Sequence, residues 1–188
     1  EQNLATEQYD DEVEFLDYRF IEDDELRLSG EQRLKLEIVR DLRNFSRIEE
    51  SHVELIHPNE VVNSACSIAH NQIRHRARLI KELAAVPQIP GDRNKLVQVL
   101  MNLLMNAAQA LPDGDGSEHF VRVATEVRNE QIHISVTDNG CGIPHAIRSR
   151  IFDPFFTTKG RDRGTGLGLA LCADIVRQHG GDIEVRSE

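Results

Sequence analysis

No stretch of the 188 residues is apolar for long enough to cross a bilayer, and no charged-then-apolar leader opens the chain. No part of this sequence is therefore expected to touch a membrane directly. Cysteine is sparse: Cys66, Cys141 and Cys172 stand far apart with no metal-ligand spacing, which fits free thiols in a reducing cytoplasm. There is no Lys/Arg-rich stripe of the kind that grips nucleic acid, and no internal repeat. The formal net charge of −10 arises almost wholly in residues 1–30, which hold eleven acids and two bases. The remaining 20 bases and 21 acids nearly cancel, so the overall charge says little about any ligand of the later segment. The first residue is Glu rather than Met, as expected for a piece of a longer protein.

With 39% hydrophobic residues, the chain can build one or two small domains with a core. In residues 31–48, Leu34, Ile38, Leu42 and Phe45 recur at helical spacing, predicting an amphipathic helix that must pack on a neighbour or a second subunit. From Val53 onward the pattern is mixed. It predicts a strand over 53–56, a helix from His57 to about Arg74 with Asn59 as N-cap, and a strand over 78–83. An extended link at 87–90 precedes a long helix capped by Asp92 and running to about Leu111. Strands over 120–127 and 132–136 flank a hairpin turn at 128–131. A last helix is predicted from about Thr165 to His179, packed on the sheet, with Gly180 as a left-handed cap and a strand beginning at 183–185.

Four short motifs carry the chemistry. On the 92–111 helix, Val97, Leu100, Leu103, Leu104, Ala107 and Leu111 form a core face, while Asn102 and Asn106 stack one turn apart on another. Two such amides can present oxygen to a hard cation or a phosphate; alone, two solvent-facing asparagines give the same pattern. The strand ending at Asp138 runs into Asn139-Gly140-Cys141-Gly142. A carboxylate there can accept from an exocyclic amine, which suits adenine and not guanine's carbonyl, although Asp-Asn-Gly is also a common turn. Phe152-Asp153-Pro154-Phe155-Phe156 concentrates aromatics in a chain that is 5% aromatic, and could anchor a flap carrying Lys159, Arg161 and Arg163. Gly164-Thr165-Gly166-Leu167-Gly168 opens a helix, where backbone amides attract anions. It lacks the Gly-Lys-Ser/Thr ending of a Walker loop and the position of a Rossmann fingerprint.

Taken in this order, the motifs resemble the N, G1, F and G2 boxes of sensor histidine kinases of two-component systems, whose ATP-binding catalytic domain has the Bergerat fold of the GHKL superfamily. The resemblance covers residues 53–188, and Leu42-Arg43-Asn44-Phe45-Ser46-Arg47 resembles the end of the family's dimerisation hairpin. It implies an α+β architecture: a two-layer α/β sandwich with a mixed sheet packed on three helices, preceded by a helical dimerisation segment. Residues 1–50 would be the acidic segment and partial hairpin helix, and 51–188 the ATP-binding domain, ending before its last strand. The implied ligands are ATP and Mg²⁺. Asn106 would bind the metal, with Asn102 as its phosphate-side companion. Asp138 would read adenine, with Gly140, Gly142 and Ile143 beside it. Thr158, Lys159, Gly164, Thr165, Gly166, Leu167 and Gly168 would line the phosphates. Many members carry Lys three residues after the metal-binding Asn; here Gln109 stands there, and the flap cations are expected to take over its charge.

The implied activity is transfer of the ATP γ-phosphoryl to a histidine and onward to an aspartate on a response-regulator receiver domain. It would occur in a homodimer assembled through the helical hairpin, in the cytoplasm or the cytoplasmic part of a membrane-bound sensor. Two departures stand out. No His-Glu/Asp-x-x-x-Pro phosphoacceptor motif is present, since Ser51-His52-Val53-Glu54-Leu55-Ile56-His57-Pro58 reads as linker and first strand. No catalytic residue is therefore identified, and the acceptor is expected near or before Glu1. The strand begun at 182–185 also lacks its hairpin partner. Two alternatives remain: a degenerate ATP-binding or interaction module without autokinase activity, or another GHKL ATPase. The other histidines show no ligand-like cluster and are expected at the surface; Cys141 is expected to pack.

Overall fold

The computed structural model describes residues 52–112, 118–159 and 164–187. The acidic segment, the 31–48 helix and Arg161 and Arg163 of the flap lie outside them. In chain order the elements are β1 (Glu54–Ile56), α1 (Pro58–Ile73), β2 (Arg78–Leu83), β3 (Ile89–Gly91), α2 (Arg93–Ala110), β4 (Phe120–Arg128), β5 (Gln131–Asp138), a 3₁₀ turn (His145–Arg150) and α3 (Gly168–Gln178). β2, β4 and β5 form a mixed sheet, with β2 parallel and β5 antiparallel to the central β4; β1 pairs separately with β3. The expected sandwich of mixed sheet and helices is present. No described helix is long and apolar enough to cross a membrane.

The core follows from period and residue size. α1 buries Val61, Val62, Ala65, Cys66, Ala69 and Ile73, a stripe whose small members let it approach α2 at Leu100, Leu104, Ala107 and Ala108. On β4, Val121, Val123 and Thr125 alternate inward beneath these helices. Register sets Val121 opposite Asp138, Val123 opposite Val136 and Thr125 opposite Ile134. Directly opposed residues share a face, so Asp138 ends β5 on the side where the helices lie. Thr125 is buried, and its hydroxyl donates to Asn59 Oδ1 at 2.8 Å.

That bond overturns Asn59 as N-cap. Pro58, with its fixed φ and no N–H to satisfy, begins α1, so His57 occupies the cap position. Asn59 lies inside the first turn and ties α1 to the sheet by also donating to the Ala84 carbonyl at 2.8 Å. Asp92 does cap α2, accepting from the Lys95 amide at 3.1 Å.

Four further expectations are corrected. The link at 87–90 contributes Ile89 and Pro90 to β3, in the ladder with β1. α3 starts at Gly168, not Thr165, because the preceding loop is held in a left-handed turn at Gly166 with φ of 70°. α3 also packs chiefly on α2 instead of the sheet: Leu171, Cys172 and Ile175 bury against Val99, with Leu96 and Leu103 alongside. Val99 was absent from the expected core face because α2 is buried on two sides. The strand expected at 183–185 does not form, as the Asp182 carboxylate turns onto the Ile183 amide at 2.9 Å and Ser187 Oγ accepts from Ile143. The Gly180 cap is as expected, with Gly181 N–H to Val176 and Gly180 N–H to Arg177.

The β4–β5 turn contains Asn129 and Glu130 at φ of 50° and 63°. Two left-handed residues in a two-residue hairpin favour Asn-Gly, and a Cβ at the second position costs about 1 kcal/mol. Glu130→Gly should therefore stabilise the domain by roughly that amount in urea unfolding; an unchanged or lowered midpoint would contradict the turn geometry.

Candidate functional site

α2 is the element on which the motifs meet. Its two buried sides leave a half-exposed strip carrying Asn102 and Asn106. Asn102 Nδ2 donates to the Gly168 carbonyl at 3.4 Å, so the start of α3 is held against the first amide. One turn on, Asn106 Oδ1 accepts from Lys159 Nζ at 3.1 Å. The same ammonium donates to Gln109 Oε1. Lys159 therefore reaches the residue three positions after Asn106.

The Asp-led turn docks on the end of the same helix. Ala110 is the last residue of α2, and its carbonyl accepts from Cys141 N–H at 3.0 Å, closing a helix end that would otherwise leave that acceptor without an intrahelical partner. Asp138 Oδ1 accepts from Gly140 N–H at 2.8 Å, an Asx turn that orients the carboxylate. Asn139 works structurally, bonding Phe120 N–H and the Glu118 carbonyl. Gly140 is required by contact: a Cβ there would fall 2.4 Å from the Ala110 oxygen. Gly142 follows in a left-handed conformation, and the Ile143 amide bonds Ser187 Oγ at 2.7 Å.

The aromatic turn and the second Gly loop are locked together. Phe155 N–H donates to the Gly166 carbonyl at 3.0 Å, and both residues are left-handed, at φ of 65° and 70°. A Cβ on Gly166 would lie 2.5 Å from the Phe155 carbonyl carbon. Arg150 stacks over the Phe156 ring at 4.5 Å and so fixes the base of the flap to the 3₁₀ turn. Thr157 Oγ1 accepts from Lys159 N–H at 3.1 Å, and Thr165 Oγ1 from Leu167 N–H at 3.3 Å. Gly164 faces the Lys159 side chain. Thr158 is exposed, and no described contact joins it to the other site residues.

Asn102, Asn106, Asp138, Lys159 and the two Gly loops are therefore gathered around the C-terminal half of α2. Three participants had escaped notice. Ala110 acts through its carbonyl, which no side-chain pattern reveals. Arg150 was one cation among many. His179 is half-buried, not a surface residue: its Nε2 accepts from Asp92 N–H at 2.9 Å, while Nδ1 bonds the Ile175 carbonyl at 2.8 Å. It joins the end of α3 to the start of α2. Cys141 is exposed and not packed, whereas Cys66 and Cys172 are buried. No group of three or more His, Cys, Asp or Glu among the described residues is arranged to hold a metal. The oxygens of Asn106 and Gln109 already receive a cation, and so provide the hard donors that a divalent ion prefers.

Residues 91–188 match the family model described as histidine kinase-, DNA gyrase B-, and HSP90-like ATPase. Among curated proteins, the chain is 36% identical over 166 residues to the sensory histidine kinase/phosphatase NtrB of Azospirillum brasilense, covering 82% of this chain and 40% of that protein. It is 39% identical over 153 residues to the signal transduction histidine-protein kinase AtoS of Escherichia coli (strain K12), covering 80% and 24%. Among solved structures, the catalytic domain of histidine kinase ThkA aligns with a TM-score of 0.59 at 29% identity, over 68% of this chain and 82% of that one. ThkA in complex with the response regulator protein TrrA aligns with a TM-score of 0.66 at 26% identity, over 96% and 50%.

Two outcomes test the geometry. Gly140→Ala should lower stability by about 1–3 kcal/mol through overpacking against backbone, and should speed exchange of the Cys141 amide. Unaltered protection of that amide would refute the docking contact. Burial pushes the Cys172 thiol from its ordinary 9.0 up to about 11, opposed by hydrogen bonds from Asn102 and its own backbone. The unfolded thiol loses its proton first, so this contribution is full below about pH 9 and fades as pH rises toward 11. The urea midpoint should therefore fall over that window more steeply in the parent than in Cys172→Ala; equal slopes would exclude the cause.

Proposed function

Because the chain belongs to the histidine kinase-, DNA gyrase B-, and HSP90-like ATPase family, we propose that it is the ATP-binding catalytic unit of a two-component sensor histidine kinase. The observation carrying this reading is that a single helix, α2, receives the Asp138 turn at Ala110, Lys159 at Asn106 and the Gly168 loop at Asn102. These are the three kinds of contact that a base, a cation and a phosphate chain need, in linear order along about two helical turns. The named relatives are sensor kinases, which supports assigning the phosphoryl acceptor to a histidine.

In this reading the Asp138 carboxylate accepts from the adenine amino group, held in place by the Gly140 bond. The amides opening α3 and the Lys159 ammonium face the phosphates. Asn106 would hold Mg²⁺, which when bound would neutralise triphosphate charge. The chain's own residues then position the γ-phosphoryl for in-line attack by an imidazole and balance charge, since protein catalysis of this transfer is chiefly placement and electrostatics. The histidine passes its phosphoryl group to a response-regulator aspartate. The Ser51–Pro58 stretch lacks the acceptor motif, and His57 is committed at the start of α1, where its Nε2 meets Gln88 at 2.8 Å. In this reading the acceptor histidine belongs to the sensor kinase's dimerisation hairpin, as the resemblance implies, and not to the four motifs.

Isothermal titration with ATP–Mg²⁺ tests this. Asn at position 138 keeps the Oδ1 that accepts from Gly140 but loses the carboxylate charge. Asp138→Asn should weaken ATP binding by about 10- to 100-fold with little change in stability, while the parent prefers ATP over GTP. Absence of ATP binding by the parent would leave only an interaction module.

A further inference from the structure

We propose that Lys159 and a divalent metal alternate on one oxygen, Asn106 Oδ1, so that the chain carries its own stand-in cation. This rests on the ATP reading above and deepens it. Lys159 Nζ lies 3.1 Å from Asn106 Oδ1 and is also bonded to Gln109 Oε1. Asn106 and Gln109 are three apart on α2, so their side chains project from one face, and both present oxygen to the same ammonium. Two converging amide oxygens around one positive charge supply a third of the octahedral oxygen shell of a hard cation, which otherwise keeps waters and phosphates.

Lys159 is delivered there by construction. Its amide is held by Thr157 Oγ1 at 3.1 Å, and its aliphatic stem runs past Gly164, whose added Cβ would lie 3.3 Å from Lys159 Cδ. An ammonium has three donors and no acceptor, so it satisfies amide oxygens much as a metal does. A metal ligated by Asn106 at about 2 Å and an ammonium on the same oxygen would be like charges in close contact, in a half-buried site where water screens them poorly. One displaces the other. Without metal, lysine supplies the positive charge beside the phosphates. With metal on Asn106, lysine gives up that oxygen and the metal would carry the positive charge there. The two cations are thus partly redundant, and the loss of one should matter most when the other is missing.

The test is a cycle over metal and lysine. ATP affinity is measured by isothermal titration for the parent chain and Lys159→Met, each in excess Mg²⁺ and in EDTA. The expected loss is tenfold or more in EDTA, and about threefold or less in Mg²⁺, using the magnitudes of charged hydrogen bonds. A loss of equal size in both, or a larger one in Mg²⁺, overturns the proposal. A second arm needs no nucleotide. Mn²⁺ is titrated into labelled parent and Lys159→Met, and paramagnetic broadening of the Asn106 side-chain amide is followed by NMR. Broadening should begin at several-fold lower Mn²⁺ in Lys159→Met, because lysine no longer competes. Identical broadening curves overturn the proposal, whereas a parent that binds no ATP yet shows the Mn²⁺ difference sinks only the ATP reading.

Discussion

The site depends on one hydrogen bond, from the Cys141 amide to the Ala110 carbonyl. A helix end leaves its last carbonyls unpaired, and a strand end must turn; here each solves the other's problem. Gly140 makes the approach possible, since any side chain would enter the Ala110 peptide. The direction of Asp138 follows from the same constraint. Burial of Val121 and Val123 fixes the β4–β5 register, and a slip of one residue would turn Asp138 to the outer face. The hydrophobic core thus selects which side of the sheet the carboxylate serves.

α2 can act as a fixed platform because it is held on two sides. Leu104, fully buried, anchors it to α1 and the sheet, and Val99 anchors it to α3. Truncating a buried leucine of this kind typically costs about 2–5 kcal/mol, so the helix does not shift to accommodate a ligand cheaply. His179 adds a polar clamp at the other end, using both ring nitrogens on backbone groups. The strip with Asn102 and Asn106 is what remains between two buried faces, which explains why polar residues there are half-exposed and still precisely aimed.

Much of this was legible in the chain. Asp92 reads as a cap because an Asp precedes a long apolar-periodic run, and Gly180 reads as a helix stop because only a left-handed residue ends a helix that way. The four motifs named the family because each contributes side chains or glycines with distinct chemistry. What escaped was what backbone and neighbours decide. Asn59 looked like a cap until Pro58 claimed the first helical position. α3 looked like a sheet-packing helix because its apolar stripe does not say which surface receives it. Ala110 was invisible, since its role lies in a carbonyl that every residue shares. The strand at 183–185 failed because strand propensity needs a partner, and Asp182 satisfies the next amide locally.

The two halves of the site are held by different physics. The Asp138 side rests on strand register and a helix-end hydrogen bond, with no strained residue at 138–141. The flap side rests on a left-handed Phe155, a conformation costing about 1–2 kcal/mol for a residue with a side chain. Burial does not compensate it, as Phe155 is 67% exposed. Its compensation is the bond to Gly166 together with the Arg150–Phe156 stack nearby. Strain retained this way marks a segment poised between arrangements. In the ATP reading, the Asp138 turn is thus the preformed half, while the phosphate-side contacts depend on the strained turn and on Lys159.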